Sequence, residues 1–128
     1  PLDYAEAARW FRKAADQGNA DAQFTLGVMY DKGEGVPQDD NEALRWFRKA
    51  ADQGNADAQF NLGLMYWKGQ GAPEDYVYSH FWINLAASRT TDPDERTRAA
   101  AARDQVAGLM TRDQVAEAQR LAREWKPK

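Results

Sequence analysis

The chain has 128 residues, 43% hydrophobic and 29% charged, with 17 basic against 20 acidic side chains, a net charge of -3 and a mean hydropathy of -0.83. A core can be built from this composition, but a pI of 5.2 leaves no basic stripe of the kind that grips nucleic acid, and no apolar run approaches the ~18 residues that cross a bilayer. Cysteine is absent, which excludes disulfides and thiolate metal sites, and the lone histidine is His80.

The first predicted helix starts after Asp3, an N-cap residue, with Glu6 three positions on in a capping-box-like pattern. Ala7, Trp10, Phe11, Ala14 and Ala15 follow helical spacing, and Arg9, Arg12 and Lys13 fall on the other face. Gly18 ends this helix, since glycine enters the left-handed C-terminal conformation without steric cost. Asn19 caps the second helix, whose buried line is expected at Ala22, Leu26, Met29 and Tyr30. The helix stops at Gly33, and a turn through Gly35-Val36-Pro37 leads on.

Residues 9–33 then return at 45–69, shifted by 36 positions, with only Thr25/Asn61, Val28/Leu64 and Asp31/Trp67 differing. Asp39 and Glu42 repeat the first cap, and the same shift relates Trp10, Trp46 and Trp82, and Pro1, Pro37 and Pro73. A period of about 20–50 residues marks stacked supersecondary units. Gly27 and Gly63 lie inside their helices, where each costs roughly 1 kcal/mol against alanine. The expected compensation is close approach to an alanine-bearing helix, with Trp10 filling the space alongside.

The third unit keeps its first helix, through Trp82, Ala86 and Ala87. Asp92-Pro93-Asp94-Glu95 is a strong helix start, but the stretch through Val106 is rich in alanine and arginine and lacks the Leu-Gly and Tyr signature. Thr111–Gln114 opens a last helix with Met110 and Val115 as a hydrophobic staple and Val115, Ala118, Leu121, Ala122 and Trp125 as its apolar face. A stack of repeats needs such an atypical end unit to cover its last exposed core. The expected organisation is one repeat domain with units at 1–36, 37–72 and a divergent 73–108, closed by a capping helix over 111–126. Its start at a repeat boundary, without an initiator methionine or signal-peptide pattern, suggests a piece of a longer array.

The pattern Ala7-x-x-Trp10-x-x-x-Ala14-Ala15-x-x-Gly18, followed by Ala22, Leu26-Gly27, Tyr30, Gly33 and Gly35-Val36-Pro37, resembles the Sel-one-like repeat family, relatives of tetratricopeptide repeats. The second copy keeps Trp46, Gly54, Leu62, Gly63, Tyr66, Gly69 and Gly71, and residues 110–125 are similar to the closing segment of bacterial members. The resemblance implies an all-α, right-handed α/α superhelix of antiparallel helix pairs that acts as a protein-interaction scaffold.

For chemistry the sequence offers little. His80 has no cysteine to pair with, Ser79 beside it points elsewhere on a helix, and no nucleophile–base–orienter set stands out. Gly33-Glu34-Gly35 recurs as Gly69-Gln70-Gly71 because it is an inter-helix turn and not a phosphate loop. Neither cofactor nor metal site is expected, and no catalytic residue is assigned. Trp10, Trp46 and Trp82 are expected in the core. Trp67, standing where the first copy has Asp31, either packs on the third unit or meets a partner. In tetratricopeptide-like superhelices the first helix of each pair lines the concave side. That places Ala8, Arg12 and Asp16, then Leu44, Arg48 and Asp52, then His80, Asn84 and Ser88, facing inward, with Arg12, Arg48 and Asn84 in register. Two arginines along a groove can hold a carboxylate or a peptide backbone. The expected function is a non-enzymatic scaffold that binds a protein or peptide on the concave face, as a monomer without a nucleic-acid partner or membrane insertion. A bacterial cytoplasmic or periplasmic setting fits equally. The alternatives are an architectural spacer or self-associating segment, with head-to-tail contacts, and after these a cell-wall-related hydrolase.

Overall fold

The computed structural model describes residues 3–128; the expectation for Pro1 falls outside them. Seven helices follow one another, α1 (Tyr4–Asp16), α2 (Ala20–Lys32), α3 (Asp40–Asp52), α4 (Ala56–Lys68), α5 (Tyr76–Arg89), α6 (Pro93–Ala107) and α7 (Arg112–Glu124), with no strand among the described residues. They form a right-handed α/α solenoid of antiparallel pairs. The caps follow the sequence. Asp3, Asn19, Asp39, Asn55 and Asp75 each accept a bond from a backbone N–H three residues on, and Thr111 and Gln114 complete a reciprocal capping box at α7. Such caps satisfy helix-end donors that have no intrahelical partner.

The interior glycines mark the tightest contacts, and these run between units. A Cβ on Gly27 would stand 2.7 Å from the Phe47 ring, and one on Gly63 would stand 2.5 Å from Ile83 Cγ1 and 3.0 Å from the Ser79 carbonyl oxygen. Thus α2 sits against α3 and α4 against α5 so closely that only hydrogen fits. The partner is the following unit's first helix, not Trp10 of the same pair.

The tryptophans divide. Trp46 and Trp82 are each 1% exposed, whereas Trp10 is 64% exposed, so the core expected at Trp10 is corrected. Trp46 packs with Ala15, Ala22 and Leu26 of the first pair, and Trp82 lies in the central cluster of Phe47, Leu62, Tyr66 and Phe81. Each fills the seam with the unit before it. For Trp10 the described residues contain no such unit, and Phe11 is half-exposed beside it for the same reason.

Two buried glutamines were not foreseen. Gln23 Nε2 donates to the Ala15 carbonyl and Gln59 Nε2 to the Ala51 carbonyl, at 3.2 and 3.1 Å, tying the second helix of each pair to the end of the first. Buried side-chain amides need such partners. Their recurrence at a 36-residue interval among apolar positions was the available signal.

At the other end, α5 is buried on nearly every side. Ile83 and Ala87 meet Ala99 and Val106 of α6, while Phe81, Trp82 and Leu85 share a cluster with Ala118 and the half-buried Leu121 and Trp125. Helix α6 starts from Asp92, which accepts from Asp94 N–H at 2.9 Å, with Pro93 at its first turn.

Candidate functional site

The inward-facing residues expected in register are only partly brought together. Arg12 and Asp16 pair at 3.4 Å on α1, and Arg48 and Asp52 pair at 3.2 Å on α3. Each arginine also lies against the next unit's tryptophan, Arg12 at 5.3 Å from the Trp46 ring centroid and Arg48 at 5.4 Å from that of Trp82. The repeat therefore builds the same station twice: a guanidinium over an indole ring, paired with a carboxylate one turn further along its helix. Such stacks contribute about 0.5–1 kcal/mol at exposed sites, and each exposed ion pair at most about 1 kcal/mol. Trp46 carries further cations, Arg45 at 4.7 Å and Lys49 at 4.9 Å.

The third rung does not form, which corrects the expectation for His80 and Asn84. His80 is 3% exposed and lies beneath α6. Burial lowers its pKa, with Arg103 adding to the effect and Asp104 partly opposing it. Its Nδ1 has no hydrogen-bond partner. The Asn84 side-chain Oδ1 accepts from Arg103 Nη1 at 3.2 Å, so α6 covers this position as well. Ser88 is exposed, and its hydroxyl donates to the Leu85 carbonyl at 2.8 Å. The divergent α6 is what closes the line. Trp67 packs beside Ile83, Ala87 and Val106, which is the packing alternative for that residue.

Around Arg12 the surface is hollow. A depression of about 450 Å³ is floored by Ala8, Leu26, Tyr30 and Val36 and edged by Arg9, Arg12 and Lys13. Arg12 Nη1 reaches the Tyr30 hydroxyl at 3.5 Å. Its apolar floor, cationic rim and single phenolic hydroxyl suit an extended or helical segment with apolar side chains better than a small polar molecule. No group of three or more acidic or histidine side chains among the described residues is placed to hold a metal ion.

A contact between units, missed in the sequence, recurs from one unit to the next. Gln53 Nε2 donates to the Gly18 carbonyl at 3.0 Å and to Gln23 Oε1 at 2.9 Å. One unit on, Arg89 Nε donates to the Gly54 carbonyl at 2.9 Å. Gly54 takes φ +102, and a Cβ there would collide with the Arg89 guanidinium. The last residues of each first helix thus clasp the turn of the preceding unit.

Seven helices in capped antiparallel pairs, bonded unit to unit, define a helical solenoid repeat protein. Residues 1–19, 20–55 and 56–90 each match the Sel1 repeat, and the chain belongs to the Sel1 repeat family. That frame opens on the second helix of one pair and closes on the first helix of the next, one helix out of phase with the pairs drawn above. Proteins of this family are in general protein-interaction scaffolds. Two solved structures are similar. One is a protective antigen from uropathogenic Escherichia coli strains with an SLR fold, 34% identical at a TM-score of 0.88 over 97% of this chain and 26% of that one. The other is a Sel1 repeat protein from Oxalobacter formigenes, 30% identical at a TM-score of 0.67 over 92% of this chain and 54% of that one. The chain thus spans about a quarter of the first protein and about half of the second. No curated protein matches it.

Proposed function

We propose that this chain is a non-enzymatic module that binds a protein or peptide segment on its concave face, with the hollow of the first helix pair at the centre of the contact. The observation that carries the reading is the Arg12 station, where an apolar floor of Leu26, Tyr30 and Val36 lies open beside a preset guanidinium. Arg12 is held by Asp16 and Trp46 before any ligand arrives, so little side-chain entropy is lost on binding. Arg48 extends the same contact to the second pair.

The test is affinity capture from a lysate of the source organism, comparing the wild type with Arg12→Glu/Arg48→Glu after circular dichroism has confirmed that both are folded. A protein retained by the wild type and lost by the variant is the expected result. Equal retention would move the binding surface away from the arginines.

A second reading has one observation in its favour. Trp10 and Phe11 present an aromatic patch on the outer side of α1, the kind of surface that joins chains head to tail. Light scattering over a concentration series, with Trp10→Ser as the control, separates a self-associating segment from a monomeric binder.

A further inference from the structure

Residues 125–128 follow α7 and stay against the molecule. Trp125 adopts an extended backbone, and Trp125, Lys126 and Lys128 form one wall of a second depression of about 270 Å³, whose other walls include Arg48, Asp52, Tyr78, Phe81, Trp82 and Leu121. Three contacts hold them there. The Lys128 backbone N–H donates to the Asp52 carbonyl at 2.8 Å. Its ammonium lies 3.8 Å from Asp52 Oδ2. The Trp125 ring sits under the Arg89 guanidinium at 5.1 Å, and Arg89 is itself fixed to the Gly54 turn. A main-chain hydrogen bond, a charge pair and an aromatic anchor are what a groove uses to hold an extended peptide.

We propose that the second-pair groove is a binding site for an extended peptide carrying lysine shortly after an aromatic residue, and that residues 126–128, seated on Asp52 along its edge, are a displaceable strap. This rests on the reading of the concave face as a peptide groove, and adds the chemistry of its ligand and the way access is controlled. Trp125 is anchored in the central cluster, and beyond it the strap is lightly held. The Lys128 side chain is 76% exposed, so its ion pair is well solvated. What keeps the strap seated is its covalent link to α7, which presents it at an effective concentration of about millimolar. A partner with the same contacts and a longer footprint therefore displaces it. At the first pair, Arg12 and Asp16 repeat the charge arrangement, but no such segment crosses them. Asp52 is accordingly 21% exposed where Asp16 is 57% exposed.

The test uses the full chain and a fluorescein-labelled peptide with the sequence of residues 121–128. Amide exchange of Lys128 is measured first, and a protected amide is expected. Peptide binding is then followed by anisotropy in the wild type, in Lys126→Glu/Lys128→Glu, and in that variant with Asp52→Asn or Asp52→Lys added, each checked for folding. Weakening the strap should tighten peptide binding at least tenfold. Asp52→Asn should then weaken it several-fold, and Asp52→Lys more. Exchange of the Lys128 amide at the rate of an unstructured chain would overturn the strap, as would equal affinity in wild type and strap variant. A protected amide with no peptide binding in the strap variant would make residues 126–128 a fixed part of the fold. That result would leave the Arg12 hollow untouched, whereas loss of capture in Arg12→Glu with Arg48 kept bears on that hollow alone.

Discussion

Trp10 and Trp46 stand at equivalent places in near-identical sequences, yet one is in water and the other is in the core. The difference lies in what precedes them: α2 and the end of α1 enclose Trp46, and no described unit encloses Trp10. Trp46→Ala should therefore cost about 3–5 kcal/mol, and Trp10→Ala no more than about 0.5 kcal/mol, as read from denaturant midpoints. Equal losses would mean that Trp10 has found cover. His80 carries a second expectation. Its pKa is lowered by burial beneath α6, so the unfolded chain takes up a proton near the ordinary value of 6.5 that the folded chain refuses until lower pH. Its contribution to stability is full above about pH 6.5 and is lost as pH falls toward the folded value. Stability of His80→Gln should fall less than that of wild type between about pH 7 and 5; parallel curves would show that α6 does not exclude the proton. Periodicity could place His80 on a helix but not know what would lie over it. That depends on α6, whose alanine- and arginine-rich sequence does not announce its packing face.

At the scale of the helix, the end of the solenoid is decided by α7. Its start signal was legible because Thr111 and Gln114 are a local device, and its apolar face because Ala118, Leu121, Ala122 and Trp125 keep helical spacing. Its destination was not legible, since any exposed apolar face accepts such a helix. Ala118 is wholly buried in the cluster with Phe81 and Leu85. Ala118→Arg would bury an unpaired cation at a cost of about 3 kcal/mol or more, and the helix should detach instead. Hydrogen exchange should then lose protection over residues 112–124 while α2 to α4 keep theirs. Retained protection there would show that α7 can dock by another face. Asp3, Asn19 and Asp39 were likewise readable as caps, because capping depends on three or four neighbouring residues. The Gln53–Gly18 and Arg89–Gly54 clasps join residues 35 apart, and nothing local in the sequence marks them.

At the scale of the molecule, each unit touches its neighbours and little else, so stability should fall off toward an uncovered end. Helix α1 packs on α2 with its aromatic face open, whereas α4 and α5 are enclosed between units. Amides of α1 should exchange fastest among the five helices of the repeats, and those of α4 and α5 slowest; uniform protection would indicate a single cooperative block. The architecture was legible because it is written twice over in the sequence. The differing exposure of Asp16 and Asp52 was not, because it depends on what lies beyond each end of the pair. The clasp and the glycine contact have a genealogical consequence. The Gly27–Phe47 contact and the Gln53–Gln23 bond lie inside the stretch 20–55, and the Gly18 that Gln53 also clasps recurs as Gly54 at its end, so a gene that duplicates those codons in frame gains a finished interface along with the new unit. Length is then free to drift by unequal crossing-over, one groove station at a time, without a folding defect for selection to remove.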